Sequence, residues 1–264
     1  VEYADFENIE DAAALIFKSE RPVILAGHGA VRGNAAKAIR RFSHDLKIPV
    51  VNTMMAKGIV ADDSPYSMWT VGLPQDDYQN VILKEADLVI TVGYDLVEFA
   101  PRKWNADNNH RIIHIDTRGN HINKLYQPDI EVIGDLSDSL DRILKRCGRT
   151  KENKRFADIK SKMEAEYRSF KDDMSFPMKP QKILYDIRQE IERNDILISD
   201  VGAHKMWIAR HYRCYEPNTC IISNGFASMG ISVPGAISAK LTFPDRKVLA
   251  VTGDGGFMMN CQEI

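Results

Sequence analysis

Short apolar runs alternating with helix-length polar stretches constrain this chain more than any other feature. Pro22-Val-Ile-Leu-Ala26, Asp87-Leu-Val-Ile-Thr-Val-Gly93, Arg111-Ile-Ile-His-Ile-Asp116 and Glu131-Val-Ile-Gly134, with a further run at 49–52, are each too short for a buried helix. Runs that are apolar at successive positions belong to strands covered on both faces, which calls for a parallel sheet wrapped by crossover helices. Helices are predicted at 8–19, where Ile9, Ala12, Ala13, Leu15 and Ile16 recur at helical spacing with Asp11 near the start, and at 34–46.

The same alternation resumes further on, with helices predicted at 181–192, 204–211 and 231–241 and strands at 195–199, 219–222 and 247–252. Between the two patterns, 13 of the 23 residues at 151–173 are charged, seven basic and six acidic, and Pro177 and Pro180 follow. Interleaved charge of this kind reads as a solvated helix acting as a connector. The fold class is therefore α/β, with a parallel-sheet Rossmann-like domain at 1–150, a charged helical linker at 151–180 and a second α/β domain at 181–264.

Charge and cysteine usage exclude several functions. The 264 residues carry 35 basic and 37 acidic side chains, a net charge of −2, which removes the basic excess that a dedicated nucleic-acid binder needs. The longest uncharged stretch, 217–239, holds two prolines, three glycines, two asparagines and four serines and makes a poor membrane span. Four cysteines without a CxxC pair give neither a zinc site nor a disulfide framework, so a reducing cytoplasm is expected.

Three glycine turns follow predicted strands in the second pattern. Gly253-Asp254-Gly255-Gly256 puts a carboxylate at a strand end, where it can hold a hard cation while the turn's amides meet a diphosphate. Asp200-Val201-Gly202-Ala203-His204 and Ser223-Asn224-Gly225-Phe226-Ala227-Ser228-Met229-Gly230 follow other strands of the same sheet. Loops at the carboxyl ends of parallel strands converge, so the three are expected to share one site. In the first pattern, Gly27-His28-Gly29 with Gly33 is one residue longer than the dinucleotide fingerprint and reads as a tight strand-to-helix turn. Asp116 lies too far beyond it for the ribose-binding acid of that fingerprint.

The segments at 199–263 resemble the diphosphate-binding domain of thiamine-diphosphate enzymes of the acetohydroxyacid synthase group. Thr91-Val-Gly-Tyr-Asp95, Trp104-Asn105 and the run from Tyr126 to Asp135 are similar to the central domain of acetolactate synthases of the catabolic, flavin-independent type. The resemblance covers nearly the whole chain. It implies a central domain followed by the first part of a thiamine-diphosphate-binding domain, and condensation of two pyruvates to 2-acetolactate by the full-length enzyme. It makes Asp254 a magnesium ligand and gives Gly253, Gly255 and Gly256 to the diphosphate, with Val201, Gly202, Ala203 and His204 lining its pocket. Ala227 falls where a backbone carbonyl meets the aminopyrimidine, and Met229 where a side chain backs the thiazolium ring. Thiamine diphosphate and Mg2+ are thus the expected cofactors.

Two family elements have no counterpart among these residues: an asparagine metal ligand about 25–30 residues past the Gly-Asp-Gly turn, and an activating glutamate on an N-terminal domain. No catalytic residue is therefore assigned here, and a polypeptide of these residues alone is expected neither to decarboxylate pyruvate nor to hold the cofactor tightly. FAD is not expected, because Tyr94-Asp95-Leu-Val-Glu98 and Thr70-Val-Gly-Leu-Pro74 stand where flavin-binding members carry other motifs. The resemblance implies a homodimer or homotetramer for the whole enzyme. Two other functions stay open: a thiamine-diphosphate decarboxylase for another 2-oxo acid or an acyl-CoA, and a nucleotide-binding structural module built on Gly27, Gly29 and Gly33.

Overall fold

A computed structural model describes residues 3–72, 77–121, 123–148 and 153–264. The chain opens with α1 (Phe6–Lys18), β1 (Pro22–Ala26), α2 (His28–Arg32), α3 (Ala36–Leu46), β2 (Val50–Asn52) and β3 (Ser67–Thr70). It continues through α4 (Tyr78–Glu85), β4 (Leu88–Val92), β5 (Arg111–Asp116), β6 (Ile130–Ile133), α5 (Leu136–Arg146) and α6 (Lys154–Ser169). The six strands form one parallel sheet in the order β3-β2-β1-β4-β5-β6, with the switch in direction between β1 and β4.

Period-two alternation divides the strand side chains between two cores. Ile24, Ala26, Ile90, Val92, Ile113 and Ile115 pack under α1, α3 and α5. Val23, Leu25, Val89 and Ile112 face the other way, where Ile82 and Leu83 of α4 and Phe156, Ile159 and Met163 of α6 cover them. Both faces are dry, which is why β1 and β4 read as unbroken apolar runs.

Three expectations change. The charged segment at 153–169 is a helix, but not a solvated connector: Phe156, Ile159 and Met163 form an apolar stripe that closes the second face of the sheet. Lys160 is buried with them, its Nζ donating to the carbonyls of Ser67 and Asp62 at 2.7 and 3.1 Å. The first helix starts earlier than Asp11 suggests, because the Asp5 carboxylate caps it by accepting from the Glu7 amide. Strand β3 was not expected at all. It is short, polar at both ends, and holds Trp69 at a left-handed φ of 64°.

The second unit comprises α7 (Pro180–Glu190), β7 (Ile196–Ser199), α8 (Ala203–His211), β8 (Cys220–Ile222), α9 (Ser232–Thr242), β9 (Val248–Val251) and α10 (Asp254–Met259). Its sheet is parallel, in the order β8-β7-β9. Leu197, Ile208, Ala209, Cys220 and Ile222 form its core, and Met54 of the first unit inserts there.

A buried polar hub joins the units. The Asp62 carboxylate is fully enclosed; it accepts from the Cys214 amide at 2.8 Å and lies 3.5 Å from Lys57 Nζ, itself donating to the Ala209 carbonyl at 3.1 Å. Arg213 reaches the Asp62 carbonyl at 2.7 Å while its guanidinium pairs with Glu164 of α6. Charges this deep are tolerated because each has a partner of opposite sign, and of the Arg213 guanidinium only Nε is left without a hydrogen-bond partner among the described residues. The hub holds β7 and α8 at a fixed place on the larger sheet.

Among the described residues no helix is long and apolar enough to cross a membrane.

Candidate functional site

The carboxyl ends of β7, β8 and β9 point the same way, since the strands are parallel, so their following turns meet along one sheet edge. β7 runs into Asp200-Val201-Gly202 and α8 begins at Ala203; β9 runs into Gly253 and α10 begins at Asp254. The first amides of a helix have no partner within it, so both turns present N–H groups to whatever lies beyond the edge.

The turns touch one another through named side chains. The ring of His204 lies beside Gly202 and reaches the Gly253 turn: a β-carbon on Gly253 would stand 3.7 Å from its Cε1. The Nε2 of His204 is buried and has no partner among the described residues, an unfilled polar atom at the junction of two turns. The terminal methyl of Met229 lies over the third turn, 3.4 Å from where a β-carbon on Gly255 would sit. Asp254 is exposed, and one of its oxygens accepts from the Gly255 amide at 2.8 Å. Val201, Gly202, Ala203, His204, Met229 and the 253–256 turn are thus brought together.

Ala227 stands apart from these contacts at the tip of the 223–230 loop, beside the fully exposed Phe226. It adopts φ 51°, in the left-handed region where a β-carbon crowds the backbone. Asn224 ties this loop to both units: Lys205 Nζ donates to its side-chain oxygen at 3.0 Å, and its amide nitrogen approaches the Glu98 carbonyl of the first unit at 3.4 Å.

Sequence reasoning missed Asp200 as a site residue. Its carboxylate is completely buried between the three turns, accepting from the Val201, Gly230 and Ser232 amides and from the Ser232 hydroxyl, all at 2.7–2.9 Å. Burial pushes its pKa up, but these donors outweigh it, and the group is held below the usual carboxylate range. Asn260 was missed as well; its amide donates to the Gly230 carbonyl at 2.7 Å. The one signal for Asp200 was an acid placed directly after a buried strand and before a glycine turn.

The residues present fit the diphosphate end of thiamine diphosphate. Open helix-start amides, an unpartnered buried His204 nitrogen and a turn with no room for side chains at Gly256, where a β-carbon would come within 2.7 Å of Asp200 Oδ1, suit an anion in close contact with backbone. The fit to a divalent cation is partial. Asp254 keeps a free oxygen, but among the described residues no group of three histidine, cysteine or acidic side chains could hold a metal.

A separate cavity of about 370 Å³ opens in the first unit at the ends of β1, β4 and β5, lined by Gly29, Arg32, Gly93, Asp116, Arg118 and Tyr126. The Gly27 turn beside it is taken up by the protein itself: Gly29 donates to the Gly93 carbonyl at 2.8 Å and His28 to the Glu98 carboxylate at 3.0 Å. A tight strand-to-helix turn accounts for its glycines, since a β-carbon on Gly29 would stand 2.7 Å from the Gly93 oxygen. Of the second flavin-related segment, Leu73 and Pro74 lie outside the described residues.

Comparison with known proteins bears on both units. A family model described as thiamine pyrophosphate enzyme, central domain, matches residues 9–143, and one described as thiamine pyrophosphate enzyme, C-terminal TPP binding domain, matches residues 200–264. The chain is 34% identical over 261 residues to the acetolactate synthase of Bacillus subtilis (strain 168), across 97% of this chain and 46% of that protein. It is 35% identical over 276 residues to a probable acetolactate synthase large subunit of Methanocaldococcus jannaschii, across 97% and 45%. Identity to the acetolactate synthase isozyme 1 large subunit of Escherichia coli is 32% over 262 residues, across 98% and 46%. The chain spans about half the length of these curated relatives. These matches do not favour a nucleotide-binding structural module or a decarboxylase for another substrate.

Proposed function

Because the chain belongs to the thiamine pyrophosphate enzyme family, we propose that it supplies the central domain and the diphosphate-binding turns of an acetolactate synthase, which condenses two pyruvates to 2-acetolactate with loss of one carbon dioxide. The observation that carries this is the meeting of three strand-end turns around Asp254, His204 and Met229 at the edge of the smaller sheet.

Thiamine diphosphate supplies, when bound, a nucleophilic carbon and an electron sink for decarboxylating a 2-oxo acid. The chain's own residues bind and orient. The amides of Gly202, Ala203 and Gly256, and that of Gly255 once released from the Asp254 carboxylate, would meet phosphate oxygens, and His204 would offer its unpartnered nitrogen to the same anion. The free oxygen of Asp254 would hold Mg2+, which would neutralise charge on the diphosphate. Met229, over Gly255, gives the ring an apolar backing and excludes water. Ala227 offers its backbone carbonyl to the aminopyrimidine, and the left-handed turn there sets the carbonyl's direction.

This reading has no role for flavin, so the natural protein should lack a flavin absorption band. It places the enzyme in the cytoplasm, in keeping with four free cysteines. Association into a homodimer or homotetramer is part of the proposal, with Phe226 and Met258 among the exposed apolar side chains that a second subunit would cover. Supplying pyruvate, thiamine diphosphate and Mg2+ to the natural full-length protein and acidifying the products should give acetoin. Consumption of pyruvate without acetoin would contradict the proposed product.

A further inference from the structure

We infer that Asp200 is the positioning residue of the cofactor site, a carboxylate that sets the spacing of the three turns without touching the cofactor. The inference rests on the thiamine-diphosphate reading above. Asp200 follows β7, yet its hydrogen bonds reach the turn at Gly230 and Ser232, and its Oδ1 packs against the Asp254 turn at Gly256. Oδ1 accepts from its own turn at Val201 (2.7 Å) and from Gly230 (2.8 Å), the residue after Met229; Oδ2 accepts from the Ser232 amide (2.9 Å) and hydroxyl (2.8 Å). Gly256, two residues past Asp254, packs so closely on Oδ1 that a β-carbon there would come within 2.7 Å.

Each carboxylate oxygen therefore holds two donors, which fills its lone pairs. With no exposed surface and no free acceptor, Asp200 has nothing to offer a metal or a phosphate. Asp254, the other acid of these turns, is its opposite: exposed, with an oxygen to spare. The division of labour follows from that contrast. Asp254 meets the ligand, and Asp200 fixes where Met229 and the Asp254 turn stand relative to each other. Charge is needed because all four donors converge on two atoms. In an Asp200→Asn variant one of those atoms becomes an NH2 group, which must oppose either the Val201 and Gly230 amides or the Ser232 amide.

The test compares wild type, Asp200→Asn and Ser232→Ala in the natural full-length protein. Ser232→Ala is the mild variant, since it keeps the carboxylate and the amide bond and removes only the hydroxyl. Two readouts are needed: the concentration of thiamine diphosphate that half-saturates the protein with Mg2+ present, and amide hydrogen exchange with no cofactor added.

Asp200→Asn should raise the half-saturating concentration at least about tenfold, with a smaller change in kcat once cofactor saturates. Exchange should quicken at Gly230 and Ser232 and stay unchanged in β1 of the larger sheet. Ser232→Ala should raise half-saturation about threefold. A folded Asp200→Asn protein with wild-type half-saturation, or with unchanged exchange at Gly230 and Ser232, would overturn the inference. If wild type itself does not bind thiamine diphosphate, the proposed function falls, and the clamp on the three turns stands or falls on the exchange result alone.

Discussion

The two sheets of this chain are covered to different extents by its own residues. In the larger sheet, β1 and β4 are buried at every residue and helices cover both faces. In the smaller one, every residue of β9 is only partly buried, and Leu241 of α9 and Met258 of α10 are 78% and 68% exposed. Stability scales with apolar surface removed from water, so it is concentrated in the first region. The second region holds its parts with polar clamps, Asp200 on the turns and the Asp62 hub at the junction, and keeps backbone amides open at its sheet edge. The scaffold is where this chain is dry, and the site is where it is not.

Truncating a side chain in each region should expose that difference most visibly. Phe42→Ala, in the larger core at 0% exposure, should cost about 3–5 kcal/mol. Leu241→Ala, on the exposed side of α9, should stay within about 0.5 kcal/mol. Denaturant unfolding of both variants measures the gap, and equal losses would mean that the smaller unit carries as much packing as the larger.

The junction comes next. Lys57→Met keeps the apolar stem but leaves the enclosed Asp62 carboxylate without its cation, and should cost about 3 kcal/mol. If the midpoint is unchanged, the hub is not what holds the units together.

A smaller and opposite effect is expected at the site. Ala227→Gly relieves a left-handed β-carbon and, after the added freedom of the unfolded chain, should stabilise by about 0.5 kcal/mol. A loss of stability would show that the loop is held some other way.

A separate effect, absent near neutral pH, is one of acidity. His211, packed in α8 next to Arg210, has its pKa lowered to about 4, first by burial and then by the Arg210 charge. The unfolded chain takes up this proton near its ordinary 6.5 and the folded chain does not, so stability present above that value is lost as pH falls toward 4. His211→Gln should flatten that part of the pH–stability curve, and an unaltered slope would assign it to other groups.

The same contrast explains what could be read from sequence. Pro22–Ala26 and Leu88–Val92 announce themselves because both faces are apolar, and the turns at Gly253 and Gly202 do so through glycine after a strand. Strand β3 hides behind serine and threonine. The buried stripe of α6 hides behind the charge that surrounds it, and Lys160 can be recognised as buried only once the Ser67 and Asp62 carbonyls are in place. Asp200 hides for a further reason: Gly230 and Ser232 lie 30 and 32 residues away, and only the parallel pairing of β7 with its neighbours brings them to it.

The central claim is that the Asp254 turn receives thiamine diphosphate through Mg2+. Calorimetric titration of the natural full-length protein with thiamine diphosphate, with and without Mg2+ and with Asp254→Ala alongside wild type, tests it most directly. The expected result is saturable binding that requires Mg2+ and weakens at least about tenfold in a normally folded Asp254→Ala protein. Binding that ignores both the metal and the substitution would contradict it.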